Sequence, residues 1–122
     1  MNNIIDLDTY LRYRIKPMMP YIKTEEQKKR LIDKLSNDYK EACKKAEEFR
    51  NWYIKNGPDK GKAFVIDTRT FNIMWFMLYQ KGDRVKYNYD GTEIEIGKCI
   101  CCKDEIGTWY VKTENKTVYI NA

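Results

Sequence analysis

The 122-residue chain contains no histidine. That absence removes the side chain best suited to proton transfer near neutral pH. It also removes the usual base of Ser/His and Cys/His nucleophile pairs and the commonest nitrogen ligand for metals. Long apolar runs are missing too. No stretch reaches the roughly 18 residues of a membrane-spanning helix, so none is predicted. The start, Met-Asn-Asn-Ile-Ile-Asp-Leu-Asp, lacks a basic segment followed by an apolar one. No signal peptide is expected, and the cytoplasm is the expected compartment. Glycine is sparse: six residues sit singly at turn positions, forming neither a G-x-G-x-x-G nor a Walker pattern. A Gly-rich phosphate cradle is therefore excluded.

A concentrated block of one charge is lacking as well. The net charge is +5, yet residues 1–23 carry four basic and two acidic side chains, residues 24–55 nine and seven, and residues 56–122 ten and nine. Nucleic-acid binders usually show a basic stripe, because affinity comes largely from phosphate neutralisation. This balance permits a partner with an acidic surface without demanding one.

What is present is a globular composition. Apolar residues make up 43% and charged residues 34%, with ten tyrosines, four phenylalanines and three tryptophans. One domain is expected over 1–122, helical over 1–57 and β-rich over 62–122. Asp6 or Asp8 caps a short helix carrying Tyr10, Leu11, Arg14 and Ile15, which Pro17 ends. Pro17 to Pro20 forms an extended or turning link.

A helix over about residues 25–56 dominates. Thr24 is its N-cap, with Gln27 in the capping-box position. Gly57 is suited to a left-handed C-terminal position, and Pro58 cannot continue the helix. Leu31, Leu35, Tyr39, Ala42, Ala46, Phe49 and Tyr53 form one stripe at spacings of three and four. The stripe keeps phase across Ser36-Asn37-Asp38, so one continuous helix is preferred to a hairpin. Its length of about 45 Å exceeds a small domain's diameter, which leaves part of the stripe for a partner or a second copy.

After Pro58 the period changes. Phe64 to Ile66 reads as a strand. Residues 71–79 are almost wholly apolar, and periodicity does not separate helix from strand there. From Asp83 alternation is clear. Asp90-Gly91 marks a hairpin, Gly97 a bulge or bend, and Trp109–Val111 and Val118–Ile120 two more strands. The fold class is α+β. The β part, over about 40 residues and by layout alone, resembles an SH3-like small barrel or a curled sheet, an architecture that implies no single function.

The chemically suggestive residues have plainer readings beside them. Glu93 and Glu95 share a strand face as two carboxylates would for a metal or a proton, but they alternate with Thr92, Ile94 and Ile96 as solvent-facing residues do. An all-cysteine zinc site would need Cys43, Cys99, Cys101 and Cys102 together. A regular strand turns Cys102 away from Cys99 and Cys101, so core or surface thiols are the preferred reading. No cofactor is expected.

The expected function is non-enzymatic contact with a protein partner. Leu31 and Leu35 on the open stripe, Arg50 and Trp52 near its far end, and Tyr10, Arg12 and Arg14 on the short helix are the candidate contacts. Trp and Arg are favoured anchors. A homodimer through the long helix is a related expectation. The Lys, Ile, Asn and Tyr bias suggests an AT-rich bacterial or phage genome. Small, lysine-rich and free of catalytic motifs, the chain is similar in general character to anti-CRISPR inhibitors, which implies a modulator of host machinery. The alternative is a nucleic-acid-binding barrel using Arg84, Lys86, Tyr87, Tyr89 and Trp109. An enzyme built on carboxylates or cysteine is a further rival.

Overall fold

Asp6 begins the first helix by accepting the Thr9 backbone N–H on Oδ1 at 2.8 Å. In the computed structural model, which describes residues 3–57, 64–67, 72–89, 92–105 and 108–120, helix α1 spans Leu7–Ile15. Of these, 64–67, 87–89, 92–96, 98–100 and 105 are described by backbone alone. α1 ends at Ile15, ahead of Pro17, although Lys16 keeps a helical backbone (φ −47°, ψ −51°) instead of avoiding it, and the link takes the turning form of the two expected, a 3-10 helix over Lys16–Tyr21. Two prolines with φ fixed near the helical value suit that tight turn.

Helix α2 runs unbroken over Glu25–Asn56. Thr24 Oγ1 accepts the Gln27 N–H at 3.1 Å. Gln27 Oε1 reaches one residue further back than a capping box requires, to the Lys23 N–H at 2.9 Å. Ser36 is tolerated mid-helix because its hydroxyl donates to the Ile32 carbonyl at 2.7 Å. Gly57 stops the helix for a different reason from the one expected. Its φ is −72°, not left-handed. A Cβ there would lie 2.5 Å from the Tyr53 carbonyl oxygen, so close approach, not backbone hand, requires glycine.

Strand β1 is Phe64–Asp67, and helix α3 is a single turn, Ile73–Phe76, within the ambiguous apolar run. Strands β2 (Arg84–Tyr89), β3 (Thr92–Glu105), β4 (Thr108–Thr113) and β5 (Thr117–Ile120) follow. The sheet order is β1-β2-β3-β4-β5. β1 is parallel to β2, and every other pairing is antiparallel. The order places β1 and β5 at opposite edges, so the sheet is curled and open rather than a closed barrel.

β3 is long because it serves two neighbours. Its first half pairs with β2 and its second with β4, with register irregularities at Val85/Lys86 and at Cys99/Cys101. Gly97 lies at the bend with φ +112°, and a Cβ would meet the Asn115 side chain at 2.8 Å. The Asp90-Gly91 turn lies outside the described residues, although the strands it joins pair Tyr89 with Thr92.

Where β2 leaves the edge of β3, the segment Asn3–Ile5 takes its place. Ile4 accepts the Cys102 N–H at 3.1 Å and donates to the Tyr79 carbonyl at 3.1 Å. Asn3 Nδ2 donates to the Met77 carbonyl at 2.9 Å, and Tyr39 donates its hydroxyl to the Ile5 carbonyl at 2.8 Å. All three residues are buried. Ile4 and Ile5 join one core cluster with Cys43 and Ala46 of α2, Phe76 of α3, Val85, Cys102, Val111 and Ile120.

Candidate partner-binding surface

The last turns of α2 place Phe49 and Tyr53 one turn apart, with Trp52 beside them. Phe49 stacks on Trp52 at a centroid distance of 5.7 Å and on Tyr53 at 6.4 Å. Tyr53 meets Trp75 of α3 edge-on at 6.0 Å. Asn72 starts α3 by accepting the Met74 N–H on Oδ1 at 3.0 Å. One turn of helix buries one side only: Ile73 and Phe76 point into the core, and Met74 and Trp75 point out.

The outcome is an apolar patch open to solvent. Trp52 is 56% exposed, Met74 51%, Phe49 45% and Trp75 37%. With roughly 200 Å² per side chain of this size, about 400 Å² of apolar surface lies together. That equals the largest patch on a typical monomer. Between the lips is a cleft of about 320 Å³ floored by Ala46 and Leu78, with Lys45 and Asn72 at its sides.

Of the residues expected to bind a partner, Trp52 stands in this patch. Arg50 does not. It turns inward, 13% exposed, and grips Asp83 through two bonds of 2.5 and 2.6 Å while also donating to the Leu78 carbonyl at 3.0 Å. This correction follows from geometry: Arg50 fastens α2 to the chain after α3. Leu35 is also corrected, being 4% exposed. α1 packs along the first half of α2 and covers the stripe that seemed open there; Leu31 remains half-buried. Tyr10 is buried against Tyr39, with its hydroxyl accepting from Arg14 Nη1 at 2.7 Å. Arg12 lies at the surface, paired with Asp8 at 2.8 Å.

Burial leaves two of the cysteines inert. Cys43 and Cys102 have no exposure and belong to the core. Burial, only partly offset by the Tyr39 hydroxyl, pushes the Cys43 thiol up, away from the reactive thiolate. Burial, with Cys43 adding to it, likewise pushes the Tyr39 phenol up. Cys101 is half-buried and next to Cys102 on the strand, hence on the other face; the side chain of Cys99 lies outside the described residues, as do those of Glu93 and Glu95. Among the described residues no group of three His, Cys, Asp or Glu side chains is placed to hold a metal ion.

The nucleic-acid set is split. Trp109 is 3% exposed beneath the edge of Tyr13, so it has no face for a base to stack on. Arg84 is exposed and Lys86 half-buried, and the side chains of Tyr87 and Tyr89 lie outside the described residues. The outer face of β4 and β5 instead carries Tyr119, 66% exposed and 6.2 Å from Tyr110, with Lys112 beside them.

A wider groove of about 600 Å³ runs between α1 and α2, where Arg12, Lys16 and Lys28 face Asp8 and Asp104. Its charges of both signs alternate with apolar side chains and select no one ligand. Among the described residues no helix is long and apolar enough to cross a membrane.

Sequence reasoning missed Phe49, Met74 and Trp75 as surface residues. The usable signal was the run 71–79 itself, which is apolar on more sides than one short element can bury. No protein-family model, curated protein or solved structure matches this chain.

Proposed function

We propose that this protein works by contact, as a small non-enzymatic binding protein whose partner seats on Phe49, Trp52, Met74 and Trp75. The observation that carries the reading is the make-up of that patch: three exposed aromatic rings and a methionine lie together. Scattered exposed apolar residues are ordinary, whereas a monomer's largest contiguous apolar patch is often functional. Stacking among the rings also holds their rotamers before a partner arrives, which lowers the entropy lost on binding.

The test is affinity capture from the native host with wild type, Trp52→Ala and Met74→Asp, each with and without nuclease. Both substitutions sit at half-exposed positions and should leave circular dichroism unchanged. Proteins held by wild type should be lost with either variant and kept after nuclease. Capture indifferent to both substitutions would sink the reading.

A second reading, nucleic-acid binding, draws on the outer face of β4 and β5. Tyr119 and Tyr110 would offer stacking, and Lys112 would neutralise phosphate. It requires affinity for single-stranded oligonucleotides that falls steeply with salt and drops with Tyr119→Ala.

A further inference from the structure

We infer that the cleft beside Trp75 receives an aliphatic or aromatic side chain from a short peptide segment of a partner protein, and that an aspartate or glutamate neighbouring that side chain meets Lys45. This deepens the contact reading and rests on it.

Area argues for a peptide rather than a second copy of the chain. A stable protein–protein interface takes about 800 Å² from each side. The aromatic patch supplies about half of that. A segment of a few residues fits the surface that is there. The cleft of about 320 Å³ is at the small end of the range for ligand sites. Its apolar wall is Ala46, Phe49, Met74, Trp75 and Leu78.

Polarity argues for the carboxylate. Lys45 lines the cleft and forms no ion pair within 4.0 Å among the described residues. Asn72 Oδ1 already accepts the Met74 N–H, and its amide group offers two donors. The Trp75 indole can only donate. Side chains that offer donors, with a cation among them, favour an acceptor that carries negative charge. Capture of a chain's terminal carboxylate generally uses a nest of backbone N–H groups. Here the donors are side chains on two elements, which points to an internal Asp or Glu.

The experiment uses a display library of random twelve-residue peptides, each fused at its C-terminus so that no free terminal carboxylate is presented. It is panned in parallel on wild type, Lys45→Glu and Trp52→Ala. Lys45 is a surface position, and its reversal should not disturb folding. Peptides enriched on wild type should carry Asp or Glu within a few residues of Leu, Phe or Trp. Their affinity should fall about tenfold on Lys45→Glu and should be lost on Trp52→Ala. Panning on Lys45→Glu should enrich Lys or Arg at the same place.

Enriched peptides without acidic residues, or ones indifferent to Lys45→Glu yet lost on Trp52→Ala, would overturn this inference and leave the contact reading standing. No enrichment over Trp52→Ala would also overturn it. So would binding confined to synthetic peptides with a free C-terminus, which would transfer the site to a terminal carboxylate. Failure of the contact reading itself is seen separately, in capture from the host.

Discussion

The two ends of α2 carry the same kind of apolar stripe and meet different fates. Near its start, Leu35 is buried and Leu31 and Ile32 are half-buried, because α1 lies along that half. Near its end, Phe49 and Trp52 stay about half exposed. The element opposite them is α3, four residues long. A nine-residue helix covers about 14 Å of its neighbour, whereas one turn covers about 6 Å. The lesson is that an apolar stripe specifies a need for cover, while the length of the neighbouring element decides whether the need is met.

Substitutions can break that comparison in order of expected size. Arg50→Ala should be the most damaging. It removes the anchor at the open end and leaves Asp83 nearly buried without its cation, at a cost of about 3 kcal/mol. Urea denaturation would measure it. A loss under 1 kcal/mol would mean that the open end is not held by this pair.

Leu35→Ala comes next, at about 2.5 kcal/mol, because a buried leucine leaves a cavity. Trp52→Ala, at the same helix's other end, should change stability by no more than about 0.5 kcal/mol. Equal losses at the two sites would erase the distinction between a covered and an open end.

Between Leu35→Ala and Trp52→Ala in size stands Asp6, whose cap orients α1 over the covered end. Asp6→Ala should cost about 1 kcal/mol. Partial burial alone would push the Asp6 carboxyl up. The hydrogen bonds from Thr9, with Lys103 and Arg12 helping, hold it below its ordinary value of 3.8. A depressed carboxylate contributes stability that is complete above its ordinary range and is lost as pH falls through the lowered value. Thermal melts across the acid range should therefore converge for wild type and Asp6→Ala at the lowest pH. Curves that stay parallel would deny Asp6 this role.

Much of the fold was legible because its signals are local. Asp6, Thr24 and Gly97 act on residues within a turn or on the backbone at their own position, and each stands where its chemistry says. Gly57 was placed correctly for the wrong reason, since the crowding by Tyr53 is invisible without coordinates. Trp109 was legible and misread. Period two puts it on the same face as Val111, and an aliphatic neighbour two residues on is a core signal. Arg50 was not legible, because its partner Asp83 is distant in sequence and only the fold brings the two together. The binding patch was half legible. Trp52 stands beside the stripe in the sequence, but Met74 and Trp75 surface only because α3 stops after one turn.

The threading of Asn3–Ile5 beside Cys102 has a consequence in time. α1 and α2 are built from contacts close in sequence and can form within microseconds. The seat for Ile4 does not exist until β3 has been made and placed, so the loop it closes spans most of the chain. Contacts of such separation slow folding. The seam should therefore be the last part to lock, and hydrogen exchange during refolding should show the amide of Cys102 gaining protection after those of α2.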